Sequence, residues 1–223
     1  MTELPNGHIV ATRPISAARP ITMGVKGHFT GQLVVGDDEG EAMEVESNTE
    51  FKTALVMMAR RDVAGIENQV PVPWTDEDGQ QKTHFADFRL VHRDGRRTII
   101  MVKQSKKAAT PEFRSRTRRI ASQITPDIAD RVCVFTEKDL DAIEVENAQL
   151  LYASRVPDYD ADAAVRRVVA RVNGAVKVDD LVEQAGFAGR GFRAVVRLLR
   201  SHELELVNHE PITRSALVRR RTL

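Results

Sequence analysis

The pattern of hydrophobic and polar positions predicts several strands in the first half of the chain. Two β-branched runs, residues 32–35 and 41–45, flank five turn-forming residues and predict a hairpin. Three longer runs follow, separated by turn formers: residues 66–74, 83–91 and 98–103. They predict a meander of neighbouring strands. The last run is apolar on both faces, which is typical of a central strand.

A helix is predicted between the hairpin and the meander, over residues 48–60. Ser47 followed three residues later by Glu50 is a capping box, and apolar residues then recur at helical spacing. The carboxylate of Glu50 either folds back on the cap or leans over the edge of the sheet. One rotamer does not fill both roles, and the sequence alone favours the cap.

Helical patterns dominate the second half of the chain. Thr110 and Pro111 have the character of a helix start, and the predicted helix runs to about residue 124. Residues 131–136 predict a buried strand that returns to the same sheet by a crossover. The elements predicted beyond residue 156 are helices over 161–172, 179–185 and 189–201 and strands over 203–207 and 212–218. This order is typical of a winged helix-turn-helix.

Length and composition favour a globular α/β protein with more than one domain. The chain has 223 residues, of which 42% are hydrophobic, and this suffices for a real core. We predict an irregular arm over residues 1–30, a mixed-sheet domain over 31–155 and a small helical domain over 156–223. The one cysteine, Cys133, excludes an intrachain disulfide and is expected in the core. No apolar run is long enough to span a membrane, so we expect a cytoplasmic protein without a membrane partner.

Asp87 and Lys103 are the candidate chemical residues of the meander. Asp87 has apolar neighbours, and burial of an unpaired carboxylate is costly, so a salt-bridged Asp and a functional Asp are about equally compatible with the pattern. Lys103 ends the central strand, where it either reaches solvent along its stem or serves a site. Strand alternation puts Met101 on the face of Lys103. Metal-assisted phosphodiester cleavage commonly uses carboxylates beside an ammonium group.

Charge distribution says more about partners than net charge does. Lys and Arg number 33 against 32 Asp and Glu, so the overall balance indicates no polyanion partner. Six basic residues lie close together next to Lys103 and predict a DNA phosphate-contacting surface: Lys106, Lys107, Arg114, Arg116, Arg118 and Arg119. A second basic set is predicted on the third helix of the last domain, for DNA or a protein partner: Arg190, Arg193, Arg197 and Arg200.

Five short motifs follow one another along the chain. They are E-S-x-x-E at residues 46–50, Q-x-P at 69–71, Ala86-Asp87-Phe88, Met101-Val102-Lys103 at the end of an apolar strand, and Thr136-Glu137 after the next strand. In this order and spacing the chain resembles the TnsA-type endonuclease subunits of heteromeric bacterial transposases. Those proteins belong to the restriction-endonuclease-like PD-(D/E)xK superfamily. The resemblance extends from about residue 24 to residue 218.

The resemblance implies a restriction-endonuclease-like mixed sheet flanked by helices, followed by a small winged-helix domain. It implies Glu50, Asp87 and Lys103 as catalytic residues. It also implies Mg²⁺, or Mn²⁺ in its place, held by Glu50, Asp87 and the carbonyl of Val102. The implied partners are DNA, a separate strand-transferring transposase and an ATP-dependent regulator.

Two residues depart from the pattern of that family. Ala86 stands where a proline is usual, which is a mild change to a turn. Met101 stands where a Glu or Gln is usual, and its thioether is a poor ligand for Mg²⁺, which prefers oxygen. Gln104 points to the other face of a regular strand, so it replaces the missing ligand only if a bulge intervenes.

Three functions remain open from the sequence. The first is a metal-dependent DNA endonuclease subunit that cuts at transposon ends. The second is a nuclease-fold subunit that has lost catalysis and serves as a DNA-binding or structural adaptor, and Met101 motivates it. The third is a transcription regulator that uses the winged module, which leaves Glu50, Asp87 and Lys103 without a role.

Overall fold

A computed structural model describes residues 29–36 and 40–221 of the protein, together with three two-residue strands nearer the N-terminus. These strands are β1 (Thr2–Glu3), β2 (Ile9–Val10) and β3 (Arg13–Pro14). β1 and β2 pair in antiparallel orientation. The irregular arm predicted over residues 1–30 lies mostly outside the described residues.

The chain divides into two compact units. One, here called the sheet unit, comprises Thr12–Asp141, and the other, the C-terminal unit, comprises Met1–Ala11 together with Ala142–Leu223. The division therefore falls earlier than the domain boundary predicted at residue 155. The difference arises from a helix that the hydrophobic pattern did not predict, which packs within the C-terminal unit.

The sheet unit begins with a hairpin and a capped helix, as predicted. Strands β4 (Gly31–Val35) and β5 (Glu41–Val45) pair in antiparallel orientation, and β3 pairs with β5 in parallel. Helix α1 (Asn48–Ala59) follows directly. It packs against the hairpin and against the sheet that comes after it, so its buried residues run without a break from Thr53 to Met57. This burial on two sides is wider than the single apolar stripe that the sequence indicates.

The four-stranded sheet has the predicted meander and crossover. Its strands are β6 (Val63–Thr75), β7 (Gln81–His92), β8 (Arg97–Val102) and β9 (Arg131–Phe135), in that spatial order. β6, β7 and β8 pair in antiparallel orientation, while β9 lies parallel to β8. β8 is therefore an inner strand, and its residues 98–102 are all buried. Cys133 was expected in the core but is only half-buried, because β9 is at the edge of the sheet.

Two helices connect β8 to β9. They are α2 (Ser105–Ala108), which was not predicted, and α3 (Pro111–Ala121), which starts at the predicted Thr110 cap. Ile120 of α3 packs with Ile99 and Met101 of β8. The alternate residues of β8 point to the opposite face of the sheet, where α1 packs. The sheet unit is thus a mixed sheet flanked by helices.

Between residues 142 and 221, the C-terminal unit contains four helices and a small sheet. Its elements are α4 (Ala142–Ala153), α5 (Tyr159–Val169), β10 (Ala175–Lys177), α6 (Val178–Ala185), α7 (Ala188–Arg200), β11 (Leu204–Leu206) and β12 (Leu217–Arg220). The sheet is antiparallel in the order β10, β12, β11. Helix α4 and strand β10 were not predicted, and the last strand begins at residue 217 instead of 212. None of the described helices combines the length and apolar character needed to cross a membrane.

Of the four arginines predicted to form a basic face on α7, Arg190 and Arg197 form ion pairs within the C-terminal unit, and Arg200 also has an interaction partner. Arg190 forms two hydrogen bonds with Asp158, at 2.7 and 2.8 Å. Arg197 bonds Asp162 at 2.7 Å, and the two side chains are 10% and 8% exposed. Arg193, by contrast, is exposed and forms no ion pair with a described residue. The predicted basic face is therefore smaller than the sequence indicates.

The buried Arg197–Asp162 pair makes a testable contribution to stability. Arg197→Ala leaves the Asp162 carboxylate buried without its partner, so we expect the free energy of unfolding to fall by about 3 kcal/mol. Chemical denaturation measures this change. Arg193→Ala, on the exposed side of the same helix, serves as the control and should change stability by less than about 0.5 kcal/mol. Equal effects of the two substitutions would contradict the assignment of the buried pair.

Candidate functional site

Strands β7 and β8 separate at Asp87, and a cavity lies at this end of the sheet. Their last backbone pair joins Phe88 to Ile100, whereas β8 continues to pair with β9 as far as Val102. A regular ladder would place Ala86 opposite Val102. Instead, the Val102 N–H donates to Asp87 Oδ2 at 2.6 Å. The Asp87 carboxylate therefore takes the place of a backbone acceptor and is fixed at the end of the central strand.

The cavity has a volume of about 300 Å³. Its polar lining includes Glu46, Gln69, His84, Asp87 and Lys103, and Met101 contributes an apolar wall. Two of the three predicted catalytic residues, Asp87 and Lys103, thus face one space. Glu50 is not among the lining residues, and Glu46, four residues before it, occupies the wall instead.

Glu50 is held by the start of α1. Ser47 caps the helix by accepting from the Glu50 N–H at 3.1 Å, and its hydroxyl donates to Glu50 Oε1 at 2.8 Å. The Glu46 N–H donates to Glu50 Oε2 at 2.9 Å. The predicted Ser47 cap is therefore confirmed, while the Glu50 carboxylate folds back on the Ser47 hydroxyl and the Glu46 N–H instead of the Ser47 N–H of a capping box. Each carboxylate oxygen has a second lone pair, so the cap does not exhaust its capacity as an acceptor.

Some neighbouring groups raise the pKa of Asp87 and Glu50, and others lower it. Burial, followed by repulsion from the Glu50 carboxylate, raises the pKa of Asp87 to about 7, against the Val102 N–H and Lys103, which favour ionisation. Burial is also the main reason why the pKa of Glu50 is raised. Simultaneous ionisation of Asp87 and Glu50 is therefore unfavourable in the protein alone. A bound cation would make it favourable.

Lys103 supplies positive charge beside the carboxylates. It follows β8 directly, and its backbone N–H donates to the Phe135 carbonyl at 2.8 Å, which fixes the start of its side chain. The side chain is exposed, and its ammonium forms no ion pair with a residue that the structure describes. Burial, with the positive charges of Arg116 and Lys103, lowers the pKa of His84 to about 4. His84 is consequently neutral near pH 7, and Lys103 is the cation beside Asp87 and Glu50.

Asp87 supplies carboxylate oxygens to the cavity, whereas Met101 supplies no oxygen. Met101 is 3% exposed and packs with Val70 and Ile120. No group of three or more His, Cys, Asp or Glu side chains among the described residues is arranged to hold a metal ion. Mg²⁺ is commonly bound by one or two carboxylates and completes its coordination with water and substrate phosphate. Asp87 Oδ1, which makes no hydrogen bond with a described residue, is the most available donor.

A basic surface flanks the cavity on α2 and α3. The predicted members Lys106, Lys107, Arg114 and Arg118 are exposed and form no ion pair with the described residues. Arg116 lines the cavity itself and lies 6.0 Å from the centre of the Phe113 ring. Arg119 differs, because it lies 3.5 Å from Glu77 in an ion pair. Five of the six predicted cations therefore add an unneutralised positive potential next to Asp87.

A larger cavity, of about 630 Å³, lies at the other end of β8. Arg97 donates to the carbonyls of Pro126 and Asp127 at 2.8 and 2.6 Å. Arg131 donates to Thr98 Oγ1 at 2.9 Å. These two arginines are thus engaged in contacts around the start of β9. The smaller cavity contains Asp87 and Lys103, and it is therefore the candidate site.

Comparison of the chain with protein-family models and with curated proteins gives no match. The interpretation of the site therefore depends on its geometry and on the motifs in the sequence. Among the lining residues, Glu46, Gln69 and His84 were not predicted as site residues. For Gln69 the available signal was the Q-x-P motif at residues 69–71. Its position across from Asp87 follows only from the register of β6 and β7.

The pKa of Asp87 predicts a specific pH dependence of stability. Unfolding returns the carboxyl to its ordinary pKa of 3.8, so from about pH 4 to pH 7 the unfolded chain loses a proton that the folded protein keeps. Wild-type stability should therefore fall across this window. Asp87→Asn removes the effect, and its melting temperature should exceed that of the wild type by several degrees at pH 8 but not at pH 4. The exposed Asp78→Asn is the control, and equal pH profiles for all three proteins would contradict the burial of Asp87.

Proposed function

We propose that the protein is a metal-dependent DNA endonuclease subunit of a transposition system, which cleaves phosphodiester bonds at transposon ends together with a separate transposase. The observation that carries the nuclease part is the juxtaposition of half-buried Asp87, the neighbouring Glu50 carboxylate and Lys103, whose ammonium forms no ion pair with a described residue. This combination of oxygen donors and an ammonium suits a reaction in which a phosphodiester gains negative charge.

Asp87 and Glu50, with the Val102 carbonyl, are the residues that would hold Mg²⁺ or Mn²⁺. When bound, such a cation supplies charge neutralisation at the phosphate and a more acidic water. The hydrogen bond from the Val102 N–H fixes the Asp87 carboxylate, so the oxygen donors are preorganised by the central strand. Lys103 would stabilise the negative charge that develops on the phosphoryl oxygens, since its ammonium has no competing ion pair with the described residues.

The basic surface on α2 and α3 is proposed to hold the DNA backbone. Arg116 belongs to both the surface and the cavity wall, so a strand bound along α3 would pass the carboxylates. Contacts from Lys and Arg to phosphates position DNA without reading its sequence. The choice of transposon ends would therefore depend on other contacts, including those of the partner proteins.

The transposition context depends on the resemblance of the motif order to TnsA-type subunits. By that resemblance we propose a restriction-endonuclease-like sheet unit, a winged-helix C-terminal unit, and a cytoplasmic complex with a transposase and an ATP-dependent regulator. The succession of α6, α7 and a three-stranded antiparallel sheet supports the winged-helix assignment. On α7, Arg193 is the exposed arginine available for DNA or a protein partner.

Met101 favours a second candidate function, that of a catalytically inactive adaptor. Its side chain is buried in the apolar cluster beneath the site, where nucleases of the resembled family have an oxygen donor. Such an adaptor would still bind DNA through the basic surface. It would not bind Mn²⁺ or cleave DNA, and Met101→Gln would restore both properties.

The nuclease proposal predicts nicking of supercoiled plasmid in Mg²⁺ or Mn²⁺, with or without the partner transposase. Asp87→Ala and Lys103→Ala should each lower the rate by about 100-fold or more, because each removes a charge that the transition state requires. Lys138→Ala, which removes an exposed lysine outside the cavity, is the control. Undiminished cutting by both site variants would remove the assignment of the site, and DNA binding without cutting by the wild type would favour the adaptor.

The basic surface predicts a salt dependence of DNA binding. Arg114→Ala and Arg118→Ala should weaken binding to unrelated sequences equally, and each should reduce the slope of log K against log salt concentration by about 1. Fluorescence anisotropy at several salt concentrations measures this. Arg96→Ala, which removes an arginine that pairs with Asp94 at the other end of β8, should leave the slope unchanged. An unchanged slope for Arg114→Ala and Arg118→Ala would place the DNA elsewhere.

A further inference from the structure

Gln69 occupies an unusual position in β6. Asn68 pairs with Phe88, and Val70 pairs with Ala86. Gln69 therefore lies across from Asp87, but these two residues do not form a backbone pair. Its φ is 51°, in the left-handed region. The other described non-glycine residues with positive φ, Ala188 and His202, lie at the two ends of α7. Gln69 is thus the left-handed residue inside a described strand.

This backbone conformation has a cost that Gln69 does not offset locally. A residue with a Cβ loses about 1 kcal/mol or more in the left-handed region, whereas glycine adopts it freely. Asn and Asp offset part of the cost by bonding their own backbone, but the longer Gln is not enriched there. Strained residues cluster at functional sites because the geometry they impose is useful. The strain at Gln69 distorts the strand next to Asp87.

The side chain of Gln69 lacks a partner although it is buried. It is 4% exposed, and it lines the cavity with Asp87 and Lys103. Its carboxamide forms no hydrogen bond with the residues that the structure describes. In the preceding residue, Asn68, Nδ2 donates to the Glu44 carbonyl at 2.9 Å, whereas Oδ1 is buried without a partner among the described residues. The carboxamide of Gln69 belongs instead to the cavity lining, where its oxygen is available to a ligand.

The chemistry of the neighbouring residues indicates which ligand the amide serves. Asp87 lines the cavity with Gln69, and its Oδ1 makes no hydrogen bond with a described residue, because the Val102 N–H donates to Oδ2. A carboxamide oxygen is a suitable donor for a hard divalent cation. Met101, on the adjacent strand but one, offers only a buried thioether.

We propose that the carboxamide oxygen of Gln69 is a ligand of a divalent cation bound at Asp87, and that it takes the place of the oxygen donor that Met101 does not supply. The inference rests on the proposed function, because it assigns a further residue to the same site. It explains together the left-handed backbone, the unpaired amide and the loss of an oxygen at residue 101. The donor has moved from the central strand β8 to β6.

Calorimetric titration of the full chain with Mn²⁺ at pH 8, without DNA, tests the proposal. Gln69→Met keeps the shape of the side chain and removes its oxygen, so Mn²⁺ affinity should fall about tenfold or more. Gln69→Glu supplies a charged oxygen and should bind Mn²⁺ at least as tightly as the wild type. In the Gln69→Met background, Met101→Gln should recover Mn²⁺ affinity, because it places an oxygen on β8, which is next to the strand of Asp87.

Backbone strain has its own control. Gln69→Gly and Ala188→Gly each relieve a left-handed residue and should both raise the melting temperature. Only Gln69→Gly should also weaken Mn²⁺ binding, since Ala188 lies on α7 in the C-terminal unit. A higher melting temperature together with a lower Mn²⁺ affinity is not expected if residue 69 has only a structural role.

The outcomes separate this inference from the proposed function. If Gln69→Met binds Mn²⁺ like the wild type while Asp87→Ala does not bind it, Gln69 is not a ligand and the proposed metal site stands. Failure of Met101→Gln to recover affinity would contradict the exchange of donors between the two positions. If Asp87→Ala binds Mn²⁺ like the wild type, the proposed site and the role of Gln69 both fall.

Discussion

The hydrogen bond from the Val102 N–H to Asp87 joins the end of the central strand to a half-buried carboxylate, and the rest of the site depends on it. The bond substitutes for the next backbone pair of β7 and β8, so the strands can separate without leaving the Val102 amide unpaired. Their separation places Asp87 at the cavity. It also fixes Lys103, the next residue along β8, beside the same space. The Asp87 side chain thus ends the pairing of β7 with β8 and lies at the candidate site.

Electrostatics then determine what this site can hold. Glu50 is buried and Asp87 is half-buried, and their surroundings disfavour the ionised form of each carboxyl group. The exposed cations on α2 and α3 add positive potential beside the cavity, and Arg116 adds it at the cavity wall. The arrangement is therefore incomplete as a set of protein charges, and a divalent cation with a phosphate would complete it. In the proposed function, the carboxylates and the basic surface would be complementary parts of one nucleic-acid site.

Local signals in the sequence predict much of the sheet unit. The Ser47 cap, the turn between Asp94 and Gly95, and the Thr110-Pro111 helix start are each encoded by neighbouring residues, and the structure confirms them. Contacts between distant residues are not encoded in this way. The pairing of Arg197 with Asp162 and the position of Gln69 opposite Asp87 depend on how elements pack and in which register. The same is true of the short strand β10, whose three residues become a strand through their pairing with β12.

The central claim is that the half-buried carboxylate of Asp87 binds a cation, and the number of protons released on Mn²⁺ binding tests it most directly. Because the pKa of Asp87 is about 7, the group is about half protonated at pH 7 and must release that proton when a metal binds. Calorimetry in buffers with different heats of ionisation should detect the release of about half a proton per Mn²⁺ at pH 7, and almost none at pH 9. Binding without proton release at pH 7, or the absence of Mn²⁺ binding, would contradict the account.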